Sequence, residues 1–219
     1  MTTITLRISL RSEYCDYRVE ADEHTSVLDA LESVRRFQEP DLIYRHSCHH
    51  GSCGSCACLI NGSEGLACTT KILSLESAVV LLEPLKGMRV LSGLAVDAET
   101  VLRDISSGWS YKRTSRGGGE RFEECIECGA CLSACPPYND STGFVGPAAL
   151  AALHRERLNN PSSAGPLLAQ ADSPAWVHGC RRAVHCSRVC PSAVAPARKI
   201  QELRNEIGKT AGSSRVDKR

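Results

Sequence analysis

The chain has 219 residues, 42% of them hydrophobic, with 26 basic and 25 acidic side chains and a formal net charge of +1. That near balance gives no ground for nucleic acid or an anionic membrane surface as a partner, and no run reaches the roughly 18 to 20 apolar residues of a membrane span. The opening MTTITLRISL has no charged segment followed by an apolar one, so no secretory leader is expected, and the thirteen cysteines are read as thiols of a reducing compartment, open to metals, rather than as a disulfide framework.

From Thr2 to Leu10 the sequence alternates, with Ile4, Leu6, Ile8 and Leu10 on one face and Thr3, Thr5, Arg7 and Ser9 on the other, the pattern of a half-buried strand. Cys15, Tyr17 and Val19 continue that period as a hairpin partner, with Cys15 expected as a small buried apolar residue. Thr25 and Ser26 open a helix, Ser26-x-x-Asp29 being a loose capping box, and Val27, Leu28, Leu31 and Val34 form its apolar stripe.

Next comes Cys48-x4-Cys53-x2-Cys56, with Cys68 further on. This is the plant-type [2Fe-2S] arrangement, in which a tight loop supplies three thiolates and a later segment the fourth. Gly51 and Gly54 lie inside the loop, where positive φ lets a backbone wrap a cluster and point amides at its sulfides. Ala57 to Ile60 reads as a strand turning at Asn61-Gly62, a strong hairpin signal. Cys58 on that strand is structural, because the ligand pattern is complete without it. Val79–Leu82 and Met88–Leu91 supply further strand material. Strands and one helix around a cluster loop describe a β-grasp, plant-type ferredoxin-like domain over residues 1–98.

A short helix is expected around Val101, Leu102 and Ile105, then a flexible linker near 106–120, where Lys112, Arg113 and Arg116 precede three glycines. Residues 99–219 read as an all-α, bacterial-ferredoxin-like domain. Gly146-Pro147 starts one helix with proline at its first position, continuing to Leu158, and Pro196 to Ile207 gives another, with Gly208 placed to end it and a frayed polar tail beyond. The fold class is therefore α+β.

Two cysteine runs flank the Gly146 helix. Cys125-x2-Cys128-x2-Cys131-x3-Cys135-Pro136 is a complete bacterial-ferredoxin run, and Cys180-x2-Ala183-x2-Cys186-x3-Cys190-Pro191 repeats its spacing with Ala183 in place of a thiolate. In two-cluster proteins the fourth cysteine of each run ligates the other run's cluster. Cys125, Cys128, Cys131 and Cys190 then surround a [4Fe-4S] cluster, while Cys135, Cys180 and Cys186 supply three thiolates, suited to a [3Fe-4S] centre. Zinc ribbons also use CxxC pairs, but zinc does not explain two runs of x2, x2, x3 ending in Cys-Pro. Aromatic residues are only 5%, so part of the folding free energy is expected from metal–thiolate bonds, and a poorly folded apo chain with it.

The segments HSCHHGSCGSCACLINGSEGLAC, CIECGACLSACP, GFVGPAALAALHR and GCRRAVHCSRVCP, in that order, resemble the iron–sulfur subunit of succinate dehydrogenases and fumarate reductases over nearly the whole chain. The resemblance implies an electron-transfer subunit, cytoplasmic and peripheral on the inner face of the cell membrane. Its partners would be a flavoprotein subunit carrying FAD and the dicarboxylate site, and membrane-anchor subunits with a quinone. The [2Fe-2S] centre would lie toward the flavoprotein and the [3Fe-4S] centre toward the quinone. No substrate bond is made on this chain itself. Quinone-linked members commonly have a tryptophan soon after the proline that follows the position of Cys135; here the text is Pro136-Pro137-Tyr138-Asn139-Asp140. Tyr138, Trp176, His178 and Arg181 are the candidates for the quinone side. The text YRHSCHHGSCG also resembles fumarate reductases that use thiols, so a soluble thiol- or ferredoxin-linked reductase is the alternative complex. A standalone ferredoxin-like carrier is a further rival, and it predicts a uniformly polar surface.

Overall fold

The alternating N-terminus forms β1 (Thr2–Leu10), with Ile4, Leu6 and Ile8 buried and Thr3 and Arg7 exposed. It pairs antiparallel with β2 (Glu13–Ala21) from Thr2↔Ala21 to Leu10↔Glu13. On the outer face Arg7 holds Asp16 with two hydrogen bonds of 2.8 and 2.7 Å, a cross-strand pair of opposite charges. Cys15 is half-buried rather than buried: it stands opposite Ile8 near the turn end of the hairpin, while the core-facing positions of β2 that close over are Val19 and Ala21, toward the other end.

Helix α1 (Val27–Phe37) starts where the capping box predicts it. The Ser26 hydroxyl accepts from the Asp29 amide at 3.1 Å, and the Asp29 carboxylate accepts from the Ser26 amide at 2.9 Å. Val27, Leu28, Leu31 and Val34 are buried against the sheet side of the helix. Ser26→Ala should cost about 1 kcal/mol, a fall of about 2–4 °C in the thermal midpoint of the cluster-loaded chain; an unchanged midpoint would mean that the cap adds nothing to stability.

Strands β3 (Ala57–Ile60) and β4 (Ser63–Leu66) are joined by Asn61-Gly62, both at positive φ of 50 and 79°, the geometry that a two-residue hairpin turn requires. Strand β5 (Val79–Glu83) runs parallel to β1 and antiparallel to β3, giving the order β2-β1-β5-β3-β4. A small ribbon of β6 (Val90–Ser92) and β7 (Ala95–Val96) follows. Here the strand begins two residues later than Met88, whose side chain is instead buried with Leu85 against Gly129. The helix expected around Val101 and Ile105 is a single 3₁₀ turn, Ala98–Val101.

The structure is a computed structural model that describes residues 1–10, 13–109, 125–140 and 143–216. It separates into one unit of Met1–Thr100 with Ile126–Ala130 and another of Val101–Cys125 with Cys131–Arg219. Of the expected linker, residues 110–120, including the basic run and the three glycines, lie outside the described residues.

The second unit is helical: α2 (Ala130–Ser133), α3 (Pro136–Asn139), α4 (Gly146–Asn159), α5 (Ala164–Ala171), α6 (His185–Arg188) and α7 (Pro196–Val216). Helix α4 is buried on every side from Gly146 to His154, which its alanines permit because small side chains let neighbouring helices approach. Two ion pairs tie it to α7, His154 to Glu202 at 2.8 Å and Arg157 to Glu206 at 2.6 Å. Helix α7 does not stop at Gly208 but continues to Val216. A glycine ends a helix when the chain turns there into the left-handed region; Gly208 stays helical and carries only its propensity cost of about 1 kcal/mol.

Candidate iron–sulfur sites

The loop between α1 and β3 carries Cys48, Cys53 and Cys56, and Cys68 follows β4. Cys48 Sγ accepts hydrogen bonds from the backbone amides of Ser52 and Cys53, each at 3.3 Å. The Ser52 hydroxyl and the His50 amide pull the Cys48 thiol down to about 5, and Cys53 bonds it as well. Cys53 Sγ also meets the Ser55 hydroxyl at 2.9 Å. Cys56 is buried, and burial pushes its thiol up to about 12, with Cys68 in hydrogen-bonding contact and Cys53 acting through its charge. Gly51 and Gly54, at φ of +81 and +71°, turn the chain between these positions. Cys58, 3% exposed, is buried beneath them, and that burial raises it to about 12.

In the first bacterial-type run, Glu127 and Gly129 stand at φ of 56 and 84°, one on each side of Cys128. Cys131 lies on α2, and Cys135 is the residue that leads into α3. In the second run Arg182 and Val184 stand at φ of 58 and 62°, and Cys190 follows α6. A β-branched residue at positive φ is a genuine strain site. None of the thirteen cysteines is in a disulfide.

Within the helical unit, Cys135, Cys180 and Cys186 act on one another. Burial first, then the charges of Cys135 and Cys180, push the Cys186 thiol up to about 11, and Cys180 adds to the burial that raises Cys135. The three line one cavity of about 480 Å³, with Ala183 on its wall and Phe144 and Arg204 alongside. The Arg182 amide donates to Cys180 Sγ at 3.4 Å. Arg204, reaching from α7, donates to the carbonyls of Val177 and Cys180, the latter at 2.8 Å, and so fixes the segment that carries Cys180. Sequence reasoning did not find Arg204; its partners lie 24 and 27 residues away, and nothing local marks it.

Comparison with known proteins agrees with this layout. Residues 7–103 match the 2Fe-2S iron-sulfur cluster binding domain, and residues 121–194 the 4Fe-4S dicluster domain. The fumarate reductase iron-sulfur subunit of Escherichia coli O6:H1 is 32% identical over 209 residues, covering 88% of this chain and 85% of its own. The mitochondrial succinate dehydrogenase [ubiquinone] iron-sulfur subunit 1 of Oryza sativa is 32% identical over 210 residues, covering 86% of this chain and 74% of its own. The chain belongs to the iron–sulfur subunits of the succinate dehydrogenase and fumarate reductase family.

A solved chain of the Mycobacterium smegmatis Sdh1 complex in the apo form shares the fold, with a TM-score of 0.78 and 23% identity over 95% of this chain and 96% of that one. The protein is thus an iron–sulfur subunit of an oxidoreductase complex, with an N-terminal [2Fe-2S] ferredoxin domain and a C-terminal helical domain of the four-iron type. Its donor sets suit such clusters: the thiols of the first loop, and Cys135, Cys180 and Cys186, act on one another, amides point at sulfur, and positive-φ residues bend the backbone beside the cysteines.

The four residues considered for the quinone side of this subunit fall into different settings. Arg181 lines the cavity of the three thiols and is paired to Asp140 at 2.7 Å. His178 is exposed and bonds Asp172 at 2.6 Å. Tyr138 is 9% exposed, with Arg103 donating to its hydroxyl at 3.4 Å. Trp176 packs at 6.3 Å from Trp109. No helix among the described residues is long and apolar enough to cross a membrane.

Proposed function

We propose that this chain relays electrons between an FAD-containing dicarboxylate-oxidoreductase subunit and a membrane quinone site, as the electron-transfer subunit of a succinate:quinone oxidoreductase or quinol:fumarate reductase. Cys48, Cys53, Cys56 and Cys68 hold the [2Fe-2S] cluster, Cys125, Cys128, Cys131 and Cys190 the [4Fe-4S] cluster, and Cys135, Cys180 and Cys186 the [3Fe-4S] cluster. Bound clusters supply one-electron chemistry at potentials tuned by net charge, hydrogen bonds to sulfur and exposure. The protein's own part is to position and tune them. The amides on Cys48 favour its thiolate, and Arg204 holds the Cys180 segment against α7.

The observation that carries this reading is the mutual approach of Cys135, Cys180 and Cys186 around a cavity whose fourth corner is Ala183. Three thiolates with Ala183 at the fourth position suit the [3Fe-4S] centre that this reading needs, Arg181 stands at the edge of that cavity, and Tyr138, Trp176 and His178 are the further groups to test. On this reading the chain sits peripherally on the inner face of the cell membrane, held by its anchor subunits.

The test is purification from the native host through a mild affinity tag, with membrane and soluble fractions compared and all co-purifying subunits identified. Recovery from membranes with a flavoprotein and a helical anchor is the expected result. Recovery from the soluble fraction with a flavoprotein and no anchor would replace the quinone link by a thiol- or ferredoxin-linked reductase, a reading favoured by the absence of tryptophan in Pro136–Asp140. Recovery without any flavoprotein would overturn both.

A further inference from the structure

Outside the cysteine groups, one set of metal-ligating side chains converges: Glu32, His46 and His49, whose donor atoms all lie within 4.8 Å of one another. His46 is central, its Nδ1 3.1 Å from His49 Nε2 and its Nε2 3.5 Å from Glu32 Oε1. We propose that Glu32, His46 and His49 form a binding site for a borderline divalent transition cation such as Zn²⁺, separate from the iron–sulfur clusters.

The donor chemistry fits. Two imidazoles and a carboxylate are a regular zinc set of three protein ligands, with a fourth position left to water. Tetrahedral donors about 2.0–2.1 Å from zinc stand about 3.3 Å apart, and with one ring nitrogen taken from each histidine the three donor atoms already lie within 4.8 Å of one another. One His46 nitrogen would serve the ion, and the set closes on it by side-chain rotation, which the exposure of His49 permits.

The site is also built from supported parts. Glu32 stands on α1, whose start is fixed by the capping box and whose neighbour Leu31 is buried. The Tyr44 hydroxyl donates to Glu32 Oε1 at 3.0 Å, while Arg35 stands 3.9 Å from Oε2 and stacks over the Tyr44 ring. A ligating carboxylate is usually held by a further hydrogen bond of this kind, here from Tyr44. His49 has φ of 62°, and its ring meets that of His46 edge-on, with centroids 5.2 Å apart. The left-handed turn at His49 is what brings a residue three positions after His46 back beside it.

The alternative is a hydrogen-bonded trio with no ion, and the two are separable. The full chain with its clusters in place, so that the cluster thiols are occupied, is exposed anaerobically to Zn²⁺ and then passed through a desalting column with a weak chelator. Zinc and iron per chain are both measured, and zinc affinity is read by competition with a zinc indicator. The expected result is about one retained zinc with iron unchanged, and a loss of about tenfold or more in affinity in His49→Asn and in Glu32→Gln, with a smaller loss in Tyr44→Phe. Asparagine tolerates the left-handed backbone at position 49, so that variant keeps the loop. Failure of the wild-type chain to retain zinc, or equal retention by both ligand variants, would overturn the site. Zinc gained as iron is lost would also overturn it, by placing the ion on the cluster cysteines. None of these outcomes depends on which complex the chain joins.

Discussion

Replacing Ala183 by cysteine is expected to convert the proposed three-iron centre into a four-iron one and to make it harder to reduce. Cys180-x2-Ala183-x2-Cys186 has the spacing of Cys125-x2-Cys128-x2-Cys131, so the position already has the place in the loop from which a middle thiolate reaches a cluster. Ala183 lines the same cavity as Cys135, Cys180 and Cys186, and the left-handed residues Arg182 and Val184 on its two sides hold the loop curved around it. Strain of this kind persists only where surrounding structure over-determines the backbone, here through Arg204 and the Arg182 amide on Cys180. A fourth thiolate adds a corner ligand that lets a fourth iron enter, and cluster type is one of the terms that set cluster potential. Low-temperature EPR decides the matter. An oxidised cluster of three ferric ions is paramagnetic, whereas an oxidised four-iron cluster with paired ferric and ferrous ions is silent, so the signal of the oxidised protein should be lost in Ala183→Cys and retained in Ala183→Ser. An unchanged signal in the cysteine variant would overturn the assignment of Cys135, Cys180 and Cys186 to one centre.

What could be read from the sequence divides along the range of the interaction concerned. The alternation of β1, the Ser26–Asp29 box, the Asn61-Gly62 turn and the Gly146-Pro147 start are local signals, and each appears at its place in the structure. The parallel pairing of β1 with β5 joins segments more than seventy residues apart, and no local pattern specifies it. Gly208 misled because a helix stop needs a following left-handed turn, and the chain stays helical through Gly208 to Val216. Cysteine spacing is itself a sequence signal, and it suffices to propose Cys48, Cys53, Cys56 and Cys68, and likewise Cys135, Cys180 and Cys186, as ligand sets. It could not reveal the supporting groups. Arg204 and the Glu32, His46 and His49 trio are brought together by tertiary structure, from residues whose separations carry no repeat.

The second large effect is expected at Gly54, between Cys53 and Cys56. A Cβ added there would stand 2.5 Å from the carbonyl oxygen of Ile126 and 2.9 Å from Cys128 Cβ, with φ at +71°. The first contact is with backbone, which cannot swing aside as a side chain can, and relief would have to displace the segment that carries Cys128. Left-handed backbone costs a residue with a Cβ about 1–2 kcal/mol, and overpacking typically adds about 1–3 kcal/mol, so Gly54→Ala should lose about 2–5 kcal/mol. Gly62→Ala separates the two contributions. Gly62 has a similar φ of +79° but nothing within 4 Å of the added carbon, so it should lose only the backbone part. Iron and acid-labile sulfide per chain, measured with thermal unfolding on both variants, test this. Gly62→Ala should keep its full iron, while Gly54→Ala should lose iron as well as stability, since the displaced backbone adjoins Cys53 and Cys56 on one side and Cys128 on the other. Equal iron and equal unfolding in the two variants would mean that the Ile126 segment yields freely. Gly54 would then be required only for its turn, and the close approach of the two cysteine motifs would have no part in holding either cluster.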